Sequence, residues 1–189
     1  MTFAFIDSES FLCVHCQKRR LIAIAYVLYD VDNASIGDVT LHYVQPPRDC
    51  VVDNVSFGIH GISREYADLV GKSIASVLCH VASDLQSALV IVAHDVHADV
   101  KVLVDEATMA NDARMLQLLL SRSFLCTKLM TVAVMRMKMP SKVNAIGWKW
   151  PSLKESYAFA TNGLTYNEHN PVDDVIACMQ VFFRTLGVL

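Results

Sequence analysis

The sequence lacks any apolar run long enough to cross a membrane and any basic leader at its N-terminus. Hydrophobic residues make up 53% of the 189 positions, yet no uninterrupted apolar run approaches the roughly 18 residues that a membrane-spanning helix requires. At the N-terminus, Asp7 arrives before a signal-peptide core could form, and no lysine or arginine precedes it. We therefore expect a cytoplasmic protein without a membrane anchor.

The sequence also lacks the cysteine spacing of a disulfide framework or a zinc finger. With no export signal expected, its six cysteines should be free thiols in a reducing compartment. Cys13 and Cys16 have the spacing of one half of a structural zinc site, but no second cysteine or histidine pair follows at the spacing of a zinc finger. Buried or loop thiols are therefore favoured over zinc. The six positions are Cys13, Cys16, Cys50, Cys79, Cys126 and Cys178.

Acidic residues are missing from one long segment, residues 113–154. This segment has eight basic residues, whereas the rest of the chain has eight bases and 19 acids and so carries a net charge of −11. A basic segment together with a surplus of carboxylates suits a divalent-metal enzyme that acts on a polyanion. The alternative is a solvated basic helix face. The bases are Arg114, Arg122, Lys128, Arg136, Lys138, Lys142, Lys149 and Lys154.

The apolar pattern predicts one α/β domain over residues 1–189, with a mixed sheet of about five strands flanked by helices. β-rich runs predict a three-stranded meander at 2–6, 21–29 and 39–44, and short apolar runs predict strands at 88–93 and 124–127. Helical spacing predicts helices at 63–69, 73–85, 97–107, 129–138, 152–160 and 172–186. Asn170 as N-cap and Pro171 in the first turn mark the start of the last helix.

The first group with possible chemistry is an Asp-x-Glu pair after the first predicted strand. Strand alternation directs the side chains of Asp7 and Glu9 to the same face. Two carboxylates converging at the end of a buried strand repel each other unless they share a cation, and oxygen ligands favour Mg²⁺ or Mn²⁺. The alternative is a solvated strand end.

The second group follows the strand predicted at 88–93, where active groups of α/β sheets commonly lie. Asp99 falls in the first turn of the next helix, so its carboxylate can reach the sheet edge beside Asp7. Its alternative role is to stabilise that helix N-terminus. His94 and His97 could bind zinc, but capping or packing is favoured for histidines at a helix start.

The third group surrounds the start of the last predicted helix. Asp174 falls in the first turn of that helix, and His169 stands in the loop before it, where it could take a proton from water. The alternative is again helix capping, which explains the neighbouring Asp173 better than Asp174.

Together, in this order and separation, these groups resemble the DEDDh 3′-to-5′ exonucleases, the DnaQ-like family with a ribonuclease H-like fold. The Asp-x-Glu motif matches Asp7 and Glu9, the His-Asn-x-x-Phe-Asp motif matches residues 94–99, and the His-x-x-x-x-Asp motif matches His169 and Asp174. Residues 59–63 and 126–129 resemble two further segments of the family. The likeness spans nearly the whole chain.

The resemblance implies a two-metal phosphodiester hydrolase. Asp7, Glu9, Asp99 and Asp174 would hold two divalent ions, Mg²⁺ or Mn²⁺, and His169 would be the general base. The substrate would be single-stranded DNA or RNA with a free 3′ end, and the products would be nucleoside 5′-monophosphates. A homo-oligomer or a polymerase partner is left open.

Substrate contacts follow less directly. Phe11 and Leu12 resemble in position the residues that wedge against the terminal base, and His60 would line the same pocket. Trp148 and Trp150 could stack on bases, with core packing as the alternative. The candidate contacts are Ser10, Phe11, Leu12, His60, His94, Trp148 and Trp150.

The second motif departs from the family pattern. Asp95 replaces the usual asparagine, and Ala98 replaces the usual aromatic residue, so the motif gains a charge and loses packing bulk. These changes are the only support for the competing hypothesis, a catalytically silent ribonuclease H-like module that binds nucleic acid or a protein. The presence of all five catalytic positions argues against an inactive relative.

Overall fold

A computed structural model of the protein describes residues 1–138 and 147–188. Lys142 of the basic segment lies outside these residues. The strands are β1 Thr2–Cys13, β2 Lys18–Asp30, β3 Ser35–Ile36, β4 Thr40–Tyr43, β5 Ala88–Ala93 and β6 Ser123–Cys126. The α-helices are α1 Asn54–His60, α2 Arg64–Val70, α3 Ile74–Asp84, α4 Val96–Met109, α5 Ala113–Leu120, α6 Thr127–Met135, α7 Leu153–Ala160 and α8 Pro171–Thr185.

The strands form one mixed sheet in the order β3-β2-β1-β5-β6, with β4 also paired to β2. β1 is antiparallel to β2 and parallel to β5, which in turn is parallel to β6. This arrangement confirms the α/β fold and the mixed sheet. The sheet has six strands among the described residues because β3, only two residues long, adds to the five that were predicted.

Helices cover both faces of the sheet because successive residues of β1 point in opposite directions. Ile6 packs in the cluster formed with α3, α4 and α5. Phe5 packs against α8, where its ring meets Phe182 and Phe183. No helix of the described residues has the length and apolar character needed to span a membrane.

Most helix starts lie where the sequence places them, because side chains cap their free N–H groups. Ser63 Oγ accepts a hydrogen bond from Tyr66 N, and Asn170 Oδ1 accepts one from Val172 N at 3.0 Å. Pro171 occupies the first turn of α8 as predicted. The helix predicted at 129–138 instead runs over Thr127–Met135 and ends at Arg136, whose φ is 46°.

β1 is twice as long as the apolar run that predicted it. It pairs with β2 as far as Cys13, through an irregularity between Glu9 and Ser10. Backbone pairing with a long neighbouring strand extends it past the polar residues, so Asp7 and Glu9 lie inside the strand and not beyond its end. Two short helices, α1 and α5, were not predicted; each begins at an aspartate cap, Asp53 or Asp112.

The expectation that all six cysteines are free thiols is wrong for one pair. Cys13 and Cys50 form a disulfide with a Cα–Cα distance of 5.5 Å. Chain spacing gave no sign of it, because the end of β1 and the loop before α1 meet only after folding. Leu12 N also donates to Asp53 Oδ2 across this junction. Cys13 is therefore not available for zinc, and Cys16 is an exposed free cysteine.

A buried ion pair ties α4 to the β1–β2 hairpin. Glu106 on α4 is 1% exposed and accepts from Arg20 Nε at 2.7 Å and Nη2 at 3.0 Å. It also accepts from Leu21 N at 2.9 Å. A buried carboxylate with three donors is fully satisfied, so this contact fixes the helix that carries Asp99 against the strand that follows β1.

Removing that carboxylate should destabilise the protein strongly. We expect Glu106→Ala to lower the free energy of unfolding by about 3 kcal/mol or more, because it leaves the guanidinium of Arg20 and one backbone N–H unpaired. Asp105→Ala is the matched control, since Asp105 pairs with the exposed Lys101, and should cost less than about 1 kcal/mol. Urea unfolding measures both, and equal losses would contradict the assignment.

Candidate active site

The three acidic groups of the sequence meet in one cavity of about 270 Å³. Asp7 and Glu9 enter it from β1, Asp99 from the first turn of α4, and Asp174 from the first turn of α8. Because β5 runs parallel to β1, its end delivers the start of α4 to the middle of β1. Topology therefore brings together residues that are separated by up to 167 positions.

Asp99 is fixed across the junction between α4 and β1. Its Oδ1 accepts from Ser8 N at 3.0 Å and from Ser8 Oγ at 2.6 Å. These donors belong to a strand distant in sequence, so Asp99 does more than stabilise its own helix. Ser8, between the two acids of the first motif, was not among the predicted site residues.

His169 and Asp174 are presented by the loop that precedes α8. His169 is exposed and has a φ of 62°, a left-handed conformation that turns the chain into the Asn170 cap. Glu9, His169 and Asp174 each offer a ligand atom, and these atoms lie within 4.8 Å of one another. Tyr166, a cavity residue that no sequence pattern indicated, also interacts with Asp174 and lowers its pKa against the larger effect of burial.

The clustered carboxylates repel one another in a poorly hydrated site. Burial, followed by the charges of Asp99, Asp174 and Glu9, raises the pKa of Asp7 well above its usual range. Burial and the charges of Asp174 and Asp99 raise the pKa of Glu9 to about 8. Burial raises the pKa of Asp99 to about 7 despite the bonds from Ser8. Such a cluster favours a bound cation.

The donor set fits a divalent metal ion. Oδ2 of Asp7 is buried and has no hydrogen-bond partner among the described residues, an arrangement that a cation would satisfy. Carboxylate oxygens with one imidazole are ligands that Mg²⁺ and Mn²⁺ accept. Glu9 and Asp174 could hold such an ion with Asp7, and Asp99 lines the same cavity from α4.

His94 has a structural place beside the cavity. Its Nδ1 lies 3.0 Å from Thr127 Oγ1, and its Nε2 lies 3.1 Å from the carbonyl oxygen of Pro151. Burial lowers the pKa of His94 to about 4. Since both ring nitrogens have partners, the packing alternative explains this residue better than zinc does.

Comparison with known proteins identifies the family. An exonuclease family model, RNase_T, matches residues 4–182. The chain belongs to this exonuclease family. The match confirms the resemblance to the DEDDh, DnaQ-like enzymes with their ribonuclease H-like fold. No curated protein matches the chain.

Solved structures of exonuclease I share the fold of this family member. The E. coli enzyme in complex with a dT13 oligonucleotide superposes with a TM-score of 0.75 and 19% identity, over 98% of this chain and 40% of that one. A product-bound exonuclease I gives a TM-score of 0.76 at 18% identity, over 98% and 43%. A zinc-bound E. coli exonuclease I–ssDNA complex gives 0.71 at 18%, over 98% and 40%. The chain thus spans about two fifths of their length.

The extra acid of the altered second motif is paired with a basic residue. Asp95, which stands where the family usually has asparagine, pairs with Lys128 Nζ at 2.5 Å. The added negative charge therefore has a partner outside the acid cluster. Ala98 lines the cavity without the bulk of an aromatic ring, which leaves space between α4 and β1.

A second cavity, of about 550 Å³, adjoins the acid cavity and shares Ser8, Ala98 and Asp99 with it. Two predicted substrate contacts, Ser10 and Leu12, line this second cavity. Its basic residues, which were not predicted as contacts, are Lys18, Arg19 and Lys101.

Arg19 differs from the other two basic residues of the second cavity. Lys18 and Lys101 both lie near Asp105, at 3.9 and 2.7 Å. Arg19 Nη1 instead donates to the Ser10 carbonyl oxygen at 3.1 Å and to Ser10 Oγ at 3.0 Å. The positive charge of Arg19 also lowers the pKa of Glu9, against the larger effect of burial. Arg19 therefore lies close to the acid cluster.

Other predicted contacts have different environments. Phe11 is fully buried in the core beside Cys13 and Ile22, so its ring cannot wedge against a base, which corrects that expectation. His60 accepts from Ile62 N through Nδ1, while its buried Nε2 has no partner among the described residues. Burial lowers the pKa of His60.

Trp148 and Trp150 lie in the segment that precedes α7. Trp150 is 44% exposed and directly precedes Pro151, the partner of His94. Trp148 is half-buried. Neither indole is among the described residues that line the acid cavity, so base stacking remains a prediction for both.

The basic segment does not form one surface. Arg114 and Arg122 line a separate cavity with Gln86 near the start of β6, whereas the acids lie where β5 and β6 end. Lys149 and Lys154 pair with Glu155 and Glu168. The bases that are close together in sequence are therefore distributed over separate parts of the fold.

The raised pKa values predict an unusual dependence of stability on pH. Between about pH 4 and about pH 7 to 8, Asp99 and Glu9 keep protons in the folded chain that they lose on unfolding. We therefore expect the melting temperature in EDTA to fall as pH rises from 5 to 8. Mg²⁺ or Mn²⁺ should raise it by roughly 5 °C or more at pH 8 and by less at pH 5.

Asp7→Asn provides the control for this experiment. It replaces a buried carboxyl group whose pKa is raised by folding, so it should raise the melting temperature in EDTA at pH 8 and weaken the response to metal. Thermal melts followed by circular dichroism measure both effects. A metal response of equal size at both pH values, unchanged in Asp7→Asn, would contradict the site.

Proposed function

We propose that the chain is a 3′-to-5′ exonuclease that releases nucleoside 5′-monophosphates from single-stranded DNA or RNA. The observation that carries the proposal is the convergence of Asp7, Glu9, Asp99 and Asp174 with His169 in one cavity. The solved complexes of exonuclease I with oligonucleotides support a nucleic-acid substrate. Because Asp95 is paired with Lys128, the altered second motif gives little support to the catalytically silent module.

The four carboxylates would hold two divalent ions, Mg²⁺ or Mn²⁺. Bound there, the ions would lower the pKa of the attacking water and stabilise the charge of the in-line displacement. His169 is exposed at the cavity rim, where its imidazole would take the proton from that water. Tyr166, which interacts with Asp174 in the same cavity, would help to hold that carboxylate in place.

The second cavity would receive the nucleotides next to the scissile bond. It lies next to the acid cavity and shares Ser8, Ala98 and Asp99 with it, so a strand bound in one cavity would be close to the other. Leu12 is 44% exposed there and could pack against a base. Arg19 could bind a phosphate through guanidinium nitrogens other than the Nη1 bonded to Ser10. His60 remains a proposed contact near the terminal nucleotide.

Nuclease activity should require divalent metal and the acids of the cavity. We expect the strand to release mononucleotides in the presence of Mg²⁺ or Mn²⁺, measured as stepwise shortening of a 5′-labelled strand. EDTA should abolish this shortening, and Asp174→Asn should slow it at least about 10³-fold. Asp173→Asn is the matched control, since Asp173 bonds to Asn167 outside the cavity and should keep near-normal activity. Parallel DNA and RNA substrates assign the sugar.

Two results would refute this proposal. Tight binding of the oligonucleotide without cleavage in either metal would favour the silent module. Cleavage by Asp174→Asn at the rate of the original chain would show that the cavity is not the catalytic site. A substrate blocked by a 3′-terminal phosphate tests the direction of digestion, and unchanged release of its terminal nucleotide would contradict 3′-end recognition.

Arg19 should affect binding of the strand more than chemistry. We expect Arg19→Gln to raise the KM for a single-stranded oligonucleotide by roughly five- to tenfold, with little change in kcat. The slope of log affinity against log salt should fall by about 0.7, the value for one lost phosphate contact. Lys101→Gln is the control, because its ammonium pairs with Asp105. An unchanged KM and salt slope would exclude the contact.

A further inference from the structure

The acid cavity contains one lysine among six carboxylates. Of the described residues that line it, only Lys154 carries a fixed positive charge. Its ammonium lies 2.6 Å from Glu168 Oε1, and the two side chains are 56% and 33% exposed. The six carboxylates are Asp7, Glu9, Asp95, Asp99, Glu168 and Asp174.

The position of Lys154 is fixed by the start of α7. Ser152 and Glu155 form a capping box, in which Ser152 Oγ accepts from Glu155 N and Glu155 Oε2 accepts from Ser152 N. The residue before them, Pro151, accepts from His94 at the end of β5. The first turn of α7 is thus held against the strand end that leads to Asp99.

A lysine in the first turn of a helix is electrostatically unfavourable. The N-terminal end of the helix dipole is positive, so it repels an ammonium group and attracts an anion. Glu168 provides one negative partner, but it is a neighbour in a partly exposed loop and gives a weak contact in water. Ser152, Leu153 and Lys154 all line the cavity, so a phosphate that entered it would lie near the N-terminal end of α7 as well as Lys154.

We propose that Lys154 is a catalytic residue that donates a hydrogen bond to a non-bridging oxygen of the scissile phosphate. This inference rests on the proposed exonuclease activity. The carboxylates would hold the phosphate from one side through their cations, and the ammonium would approach from the rim formed by α7. Before substrate binds, the ammonium pairs with Glu168 at that rim.

Lys154 keeps its positive charge throughout the proposed hydrolysis. The oxygen of water bonds to phosphorus, the bond from phosphorus to the 3′ oxygen breaks, and the leaving oxygen takes a proton from solvent. The proton of the attacking water goes to His169. Negative charge grows on the non-bridging oxygens during the displacement, so a donor fixed beside them favours the transition state over the bound substrate.

Two substitutions that break the same ion pair distinguish this role from a structural one. We expect Lys154→Gln to lower kcat by about 30-fold or more, with KM changed by less than about threefold. Glu168→Gln should lower kcat much less than Lys154→Gln does, because it leaves the ammonium available to bind phosphate. Lys154→Arg should recover part of the loss. Lys149→Gln, which removes an ion pair with Glu155 outside the cavity, is the matched control.

A binding measurement keeps the inference testable apart from turnover. Titration of a nucleoside 5′-monophosphate in the presence of Mg²⁺ should show about tenfold weaker binding to Lys154→Gln and unchanged binding to Lys149→Gln. The response of the melting temperature to Mg²⁺ alone should be the same in all of these variants. That result shows that the metal-binding carboxylates are intact.

The outcomes separate the two proposals. Equal losses of kcat in Lys154→Gln and Glu168→Gln would mean that only the ion pair matters and would overturn the catalytic role. So would nucleotide binding that is unaffected by Lys154→Gln. A chain that binds nucleotide through Lys154 but releases no mononucleotides would refute the proposed exonuclease while supporting the phosphate contact.

Discussion

The structure depends on holding like charges together in a site with little water. Asp7, Glu9 and Asp99 oppose folding wherever they are ionised without a cation, since burial and mutual repulsion raise the pKa of each. Apolar burial on both faces of β1 offsets that cost, with Ile6 packed on one face and Phe5 on the other. The core of the fold therefore stabilises a site that is unstable by itself.

Local signals in the sequence predicted the parts of the site that depend on local chemistry. Asn170 and Pro171 define where α8 starts, so the positions of His169 and Asp174 relative to that helix followed from capping alone. Alternation along β1 placed the acids of the first motif on a common face. The resemblance of three ordered motifs then predicted both the fold and the family.

Features that depend on tertiary pairing could not be predicted in this way. The length of β1 is set by its partner β2, and the Cys13–Cys50 disulfide is set by where a loop packs. The bases of the basic segment are close together in sequence but not in the fold. Arg122 and Lys128, for example, lie at opposite ends of the short strand β6. Burial of Phe11 likewise follows from tertiary packing, because Val52 before α1, Ile62 after it and Ala67 of α2 belong to the same buried cluster.

The position of Asp174 on the last helix has a consequence for protein synthesis. The other three proposed metal ligands, Asp7, Glu9 and Asp99, precede α8 in the chain, whereas α8 carries Asp174 and packs on the sheet. A nascent chain interrupted before α8 would have no complete acid cluster. The four carboxylates therefore come together only after α8 has been synthesised and has packed on the sheet.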